Sequence, residues 1–263
     1  MHRFFTYIIN ATMNRKYFND SEWPYNTLAQ FGLTREMIED LPTHVLADLS
    51  AGRRSPVLPV KFTNEDGDGI KSHARFSFMK NEDQSIGVLF YPELREADLS
   101  KFDAQQQSRL MDGKAILAET ENKEGQKVMS YVQIDEGTKQ VLSAPASMIQ
   151  QNMNTLYANQ NFSDTEALAL ENGDTVTFLL DDEDVMTVGV DLTDKCGIRI
   201  NDGDEQAWKE RNKRGFEQYN FGAFGCWTQD EDGNLEYVNE EDYTEEMWEE
   251  QKKAGAKAMG FHR

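Results

Sequence analysis

The chain has 263 residues, enough for one large domain or two small ones around a buried core. Its 27 Lys and Arg stand against 47 Asp and Glu, a formal charge of −20 that repels nucleic acid and anionic lipid and so disfavours direct binding to either. Cys196 and Cys226 make no disulfide framework and no apolar run reaches the ~18 residues of a spanning helix, so a cytoplasmic protein is expected.

Residues 1–17 read as a tail. The apolar core of MHRFFTYIINATM is shorter than a signal-peptide h-region, and a disordered tail, a short helix and a start at Met13 all stay open. Residues 18–42 read as a small helical docking module. Pro24 suits the first turn of a short helix closed by Gly32; Thr34 caps a second helix, which Pro42 stops.

A repeat follows. LSAG (Leu49 to Gly52), LMDG (Leu110 to Gly113) and LENG (Leu170 to Gly173) share the pattern L-x-x-G, with glycines 61 and 60 residues apart. Each glycine is the expected left-handed stop of a helix. Thr43 opens the first of these helices and Ser100 the second, and Ser163 with Glu166 makes a capping box for the third. After each glycine come three apolar runs broken by polar turns. They are PVLPVKF, ARFSFM and SIGVLFYP; KAILAE, VMSYVQID and QVLSAP; DTVTFLL, VMTVGVDL and CGIRI. Helix, glycine stop and three-stranded antiparallel meander therefore recur at about 60 residues, the signature of stacked supersecondary units. The expected fold class is α+β, with units at 43–98, 99–150 and 151–203.

Two loops imitate calcium sites. In FTNEDGDGIK, Asn64, Asp66 and Asp68 have ligand spacing, but position twelve is Arg75 rather than a bidentate Glu. In TQDEDGN, position six is Leu235 where that loop needs glycine. Strand-like runs flank both, so both read as solvated hairpin turns, and no metal is expected.

Residues 204–263 hold a short basic helix (Ala207–Arg214), an aromatic and glycine-rich segment (Tyr219–Trp227), an acidic hairpin and a last helix opened by Asp242–Glu245. The lysines and arginines of 209–214 read as complements to a helix C-terminus. If Tyr219–Trp227 packs, it is a strand whose glycines allow close backbone approach; if exposed, its aromatics make a partner hot spot. From Thr228 to Glu250 there are eleven Asp or Glu and no Lys or Arg.

Catalytic chemistry has no motif here. His2, His44, His73 and His262 lack ligand spacing, the cysteines lack a C-x-x-C partner, and nucleophile-elbow, P-loop and zinc-protease patterns are missing. No catalytic residue and no cofactor is assigned.

FNDSEWPYNTLAQFGLTREMIEDLP, AGRRSPVLPVKF and GKAILAE with YVQIDEGTKQVLSAP together resemble the Bacteroidales mobile-element proteins of conjugative transposons, which are built of domains of unknown function. The resemblance implies an accessory protein working beside DNA-transfer or topoisomerase machinery, and carries over no catalytic residue. Arg53 and Arg54 in its most recognisable motif are candidate partner-binding residues, or else simply flank a strand; Phe221, Phe224 and Trp227 are further candidates. The expected function is a non-enzymatic adaptor that binds a protein partner, with an acidic DNA mimic that blocks a host defence enzyme as the alternative.

Overall fold

A computed structural model of the chain describes residues 17–63, 69–122, 124–158, 161–179, 185–194, 196–210, 216–230 and 233–260, and of Glu210 and residues 256–260 the backbone only. Residues 64–68 of the first calcium-like loop, residues 1–16 of the tail, His262 and the basic residues Arg211–Arg214 lie outside that description. Among the described residues the protein is α+β, with eight α-helices and twelve strands in four antiparallel three-stranded sheets, each a simple meander.

All nine runs of the repeat are strands. Sheet one is β1 (Leu58–Thr63), β2 (Gly69–Lys80) and β3 (Ile86–Pro92); sheet two is β4 (Ile116–Glu121), β5 (Lys127–Ile134) and β6 (Val141–Pro145); sheet three is β7 (Val176–Leu179), β8 (Val185–Val190) and β9 (Ile198–Asp202). The helices before them are α3 (Thr43–Ser50), α4 (Ala104–Met111) and α6 (Asp164–Glu171). Each closes in the same way. Gly52, Gly113 and Gly173 have φ of 78°, 76° and 81°. Their amides donate to Leu49, Leu110 and Leu170, and the next amide reaches back five residues to Asp48, Arg109 and Ala169. That is the Schellman pattern, which glycine enters without a Cβ penalty. The leucine of each L-x-x-G is fully buried, so one short motif both ends a helix and anchors it.

The α6 capping box is present, with Ser163 accepting from the Glu166 amide and Glu166 from the Ser163 amide. The start of α4 differs from expectation. Its cap is Asp103, in a capping box with Gln106, and Ser100 instead donates to Asp98. The Asp103 carboxylate accepts from the Gln106 amide and the Gln106 side chain from the Asp103 amide, which satisfies two orphan donors; Ser100 has no such partner at the right offset.

A further helix, α5 (Ala146–Tyr157), crosses the expected boundary at 150/151. Ile149, Met153 and Leu156 lie on one face of it and are buried in the core shared by sheets two and three. That spacing of i, i+4 and i+7 is a helix signal legible in SMIQQNMNTLY.

The turns are built on Asn and Asp. The amide and carbonyl of Asn122, Asp135, Asp191 and Asp230 both enter tight-turn bonds, and each side-chain Oδ1 accepts a following backbone amide. In the second calcium-like loop both oxygens of Asp230 are engaged by Asn234, at 2.7 and 2.9 Å. Asp230, which imitates a ligand there, shapes a turn.

Two compact units divide the chain, and the division does not follow the repeat: one holds Glu93–Asn212, the other Arg15–Pro92 with Lys213–Arg263. In the first, sheets two and three share a core of Tyr131, Ile149, Met153, Leu170, Val188 and Ile198. Gln133 ties them, its amide donating to Gly113 and Val190 and accepting from Leu192, at 2.9–3.2 Å. Arg109 and Lys114 reach Asp174 at 3.2 and 2.9 Å. The glycine cap of α6 presses so closely on sheet two that a Cβ on Gly173 would lie 2.2 Å from the Ala115 carbonyl oxygen.

In the second unit, α1 (Tyr25–Gln30) and α2 (Arg35–Glu39), the expected docking module, share one core with sheet one. Leu28, Leu33 and Ile38 are buried with Leu49, Leu58 and Phe76. Trp227 and Leu235 of the fourth sheet complete that core. This sheet is β10 (Tyr219–Phe221), β11 (Gly225–Gln229) and β12 (Leu235–Asn239), so the C-terminal segment is a three-stranded meander rather than a hairpin. The glycines of YNFGAFGCW divide the expected single strand in two. The remaining helices are α7 (Glu205–Glu210), whose start precedes the expected Ala207 because Asp204 caps it, and α8 (Glu245–Gly260). No helix among the described residues is long and apolar enough to cross a membrane.

Candidate protein-binding face

The aromatic and glycine-rich segment turns back on itself at Gly222–Phe224. Asp40, at the end of α2, holds that turn: one carboxylate oxygen accepts from the Ala223 amide at 2.6 Å, the other from the Phe224 amide at 3.0 Å and the Tyr237 hydroxyl at 2.5 Å. A Cβ on Gly222 would sit 2.1 Å from the Asp40 carboxyl carbon, and one on Gly225 2.5 Å from the Val238 carbonyl. Both glycines are there for close approach.

Register then assigns the side chains. Trp227 pairs with Asn220 and points into the core, where it is 0% exposed and its indole N–H donates to the Met37 carbonyl at 2.8 Å. Trp227 is therefore corrected from candidate contact to core residue: an indole that fills the interior has no face left for a partner. Tyr219 and Phe221, one residue to either side of Asn220, take the opposite face because strand side chains alternate. Their rings stack with centroids 6.0 Å apart. Phe221 meets Tyr243 edge-on at 5.7 Å, and Tyr243 meets Trp248 of α8 at 5.2 Å. Four rings thus run in one row from β10 to α8. Trp248 is 38% exposed, the other three are partly exposed, and Phe224 at the turn tip is 49% exposed.

Carboxylates rim the row. Glu240, Glu241 and Asp242 form a 3-10 turn, and Glu245, Glu246 and Glu249 follow on the first turns of α8, all exposed. Burial raises the Tyr219 phenol above its ordinary value, and so do the charge and hydrogen bond of Glu246 and the charge of Glu250. Tyr243 is raised too, by burial first and then by charges that include Glu240. The rings therefore lie in a negative field. Thr244 caps α8 by accepting from the Met247 amide at 3.2 Å, which sets Met247 inward and Trp248 at the surface.

Arg53 and Arg54 stand apart from this row, in the connection from α3 to β1, and serve their own fold. Arg53 pairs with Asp48 at 2.5 Å and Arg54 lies 3.9 Å over the Tyr91 ring. Of the five candidate residues, only Phe221 and Phe224 present surface on the aromatic segment. Tyr219, Tyr243 and Trp248 were missed. The signal for the first was its i, i+2 relation to Phe221, but a ring contributed by a helix more than twenty residues on leaves no local trace.

The unit of sheets two and three holds a shallow cleft of about 80 Å³ lined by Gln133, Asp191, Arg199 and Trp208. Arg199 fills its wall, 3.8 Å over the Trp208 ring and 3.2 Å from Asp191. A cation so neutralised is a packing element. Cys226 is buried, and burial pushes its thiol up to about 11, which leaves it protonated and unreactive.

Residues 18–101 match a family model described as a protein of unknown function (DUF4099), a span that takes in α1–α3 and sheet one and ends before the aromatic row. No curated protein and no solved structure matches the chain.

Proposed function

We propose that the chain is a non-enzymatic accessory protein of a mobile genetic element, and that it acts by binding a protein partner through the ring row of β10 and α8. The observation that carries this reading is the row itself. Four aromatic rings in edge and stacked contact, partly open to solvent and framed by polar groups, have the make-up of an interface hot spot. The mobile-element setting, with DNA-transfer or topoisomerase machinery as the partner, rests on the sequence resemblance alone.

The test is capture of partners by the tagged full-length protein from its natural host, eluted in salt steps, beside Trp248→Ala and Phe221→Ala. A partner that stays bound through high salt and is lost with either variant supports the reading. A partner retained equally by both, or turnover of a substrate by the purified chain, sinks it.

A second reading has one observation in its favour. Glu240, Glu241, Asp242, Glu245, Glu246 and Glu249 are exposed in close succession along a 3-10 turn and a helix, as a mimic of DNA phosphates requires. A host nuclease or restriction enzyme that leaves at modest salt, and that depends on these carboxylates but not on Trp248, favours this alternative.

A further inference from the structure

Elsewhere in the chain, an arginine is twice held between an aromatic ring and a carboxylate. Arg35 lies 4.9 Å from the Tyr25 ring centroid with Glu39 at 2.7 Å. Arg199 lies 3.8 Å over Trp208 with Asp191 at 3.2 Å. The ring face draws the guanidinium through its quadrupole, and the carboxylate fixes it in plane.

The row of β10 and α8 repeats the two receiving groups. The Tyr219 phenol is raised by burial and by the charge of Glu246, Glu245 stands one turn before Trp248 on α8, and the charge of Glu240 acts on Tyr243. Among the described residues no Lys or Arg of the chain stacks on these four rings. Glu250, the next carboxylate on α8, is paired with Lys253 at 2.6 Å. Lys252 and Lys253 lie a turn further along α8, at the middle of the helix.

We infer that this face docks an arginine-rich segment of a protein partner, with guanidinium groups stacked on Trp248 and Tyr243 and paired with the rim carboxylates. The inference rests on the reading of the row as a protein-binding face and names the chemistry that the face selects. An acidic or neutral partner leaves the rim carboxylates desolvated without compensation, whereas a basic one satisfies them and is steered in by the −20 charge.

The experiment uses the full chain and a fluorescein-labelled amphipathic peptide of leucine and arginine, read by fluorescence anisotropy at physiological salt. Its comparison peptide carries citrulline, the neutral isostere, in place of every arginine. The arginine peptide is expected to bind at least about tenfold more tightly than the citrulline peptide. Trp248→Ala, which leaves the net charge unchanged and removes an exposed ring, is expected to weaken it about tenfold. A variant combining Glu245→Gln, Glu246→Gln and Glu249→Gln is expected to do the same, and circular dichroism and melting temperature check that both variants stay folded. Equal affinity for the two peptides overturns the arginine specificity. If host-partner capture still depends on Trp248 in that case, the protein-binding reading survives it. Binding that falls with the glutamine variant but is unmoved by Trp248→Ala is diffuse attraction to an acidic protein, and also overturns the inference.

Discussion

Asp40→Asn is the sharpest test of how the second unit is held together. Four donor contacts converge on the two carboxylate oxygens: Ala223 N at 2.6 Å, Phe224 N at 3.3 and 3.0 Å, and the Tyr237 hydroxyl at 2.5 Å. Asparagine keeps the shape but replaces one acceptor by an N–H₂ donor. The Tyr237 hydroxyl can rotate to accept; a backbone amide cannot. Whichever way the new amide is oriented, one bond is lost or reversed and the remaining ones lose their charge. An orphaned buried donor costs about 1–3 kcal/mol, and loss of charge assistance adds about 1 kcal/mol, so the expected destabilisation is roughly 2–4 kcal/mol. That is a large part of the ~5–15 kcal/mol that holds a domain folded. The assay is urea unfolding combined with hydrogen exchange read by mass spectrometry. Protection should fall in α1–α2 and in β10–β12 together, though well over a hundred residues separate them, while β4–β9 keep theirs. Tyr237→Phe, which removes a single donor, should cost about 1.5–3 kcal/mol and couple to Asp40→Asn in a double-mutant cycle. A change in stability within about 0.5 kcal/mol for Asp40→Asn, or protection lost evenly across both units, would refute the reasoning.

Gly173→Ala and Gly125→Ala separate backbone strain from close approach. Both glycines have positive φ, 81° and 76°, but a Cβ at Gly173 meets the Ala115 backbone whereas one at Gly125 meets open space. Chemical denaturation should show about 1–2 kcal/mol for Gly125→Ala, and clearly more, about 2–4 kcal/mol, for Gly173→Ala, where a backbone atom has to move. For Asp174, burial raises the carboxyl, but Lys114 and Arg109 outweigh it and hold the group below the usual carboxylate range. Because the folded value lies below the unfolded one, the stabilisation is present above about pH 4 and is lost as pH falls through the folded value. With the pair a third exposed the effect is at most about 1 kcal/mol, so the gap in melting temperature between wild type and Asp174→Asn should close in acid; a gap independent of pH refutes the assignment. Tyr131 donates to the Glu171 carbonyl at 2.7 Å, and burial, aided by the Glu171 charge, pushes its phenol up to about 12. A raised phenol stabilises below its unfolded value near 10 and ceases to as pH passes about 12. Tyr131→Phe should cost about 1–2 kcal/mol at neutral pH and remove one late-ionising tyrosine from an alkaline absorbance titration.

The local grammar of this protein is written in its sequence. L-x-x-G predicts helix stops because only glycine sits easily at positive φ, and all three stops occur where that motif stands. The nine strands after them follow from apolar runs between turn residues, and the Asn and Asp of the turns take the bonds that such side chains reach within a few residues. These features depend on neighbours in the chain, so the chain alone determines them. The pairing of units does not. Two near-identical spacings suggest a single array, yet sheet one shares its core with the fourth sheet, because Trp227 finds Met37 and Asp40 finds the Gly222 turn across more than 180 residues. No periodicity in either segment records the other. The same holds for the face proposed to bind: Phe221 and Phe224 stand out in a short aromatic stretch, but which side of a pleated strand meets the core decides that Trp227 is buried, and which side of a helix does so decides that Trp248 is exposed. Burial against distant residues settles that, and only the tertiary structure supplies them.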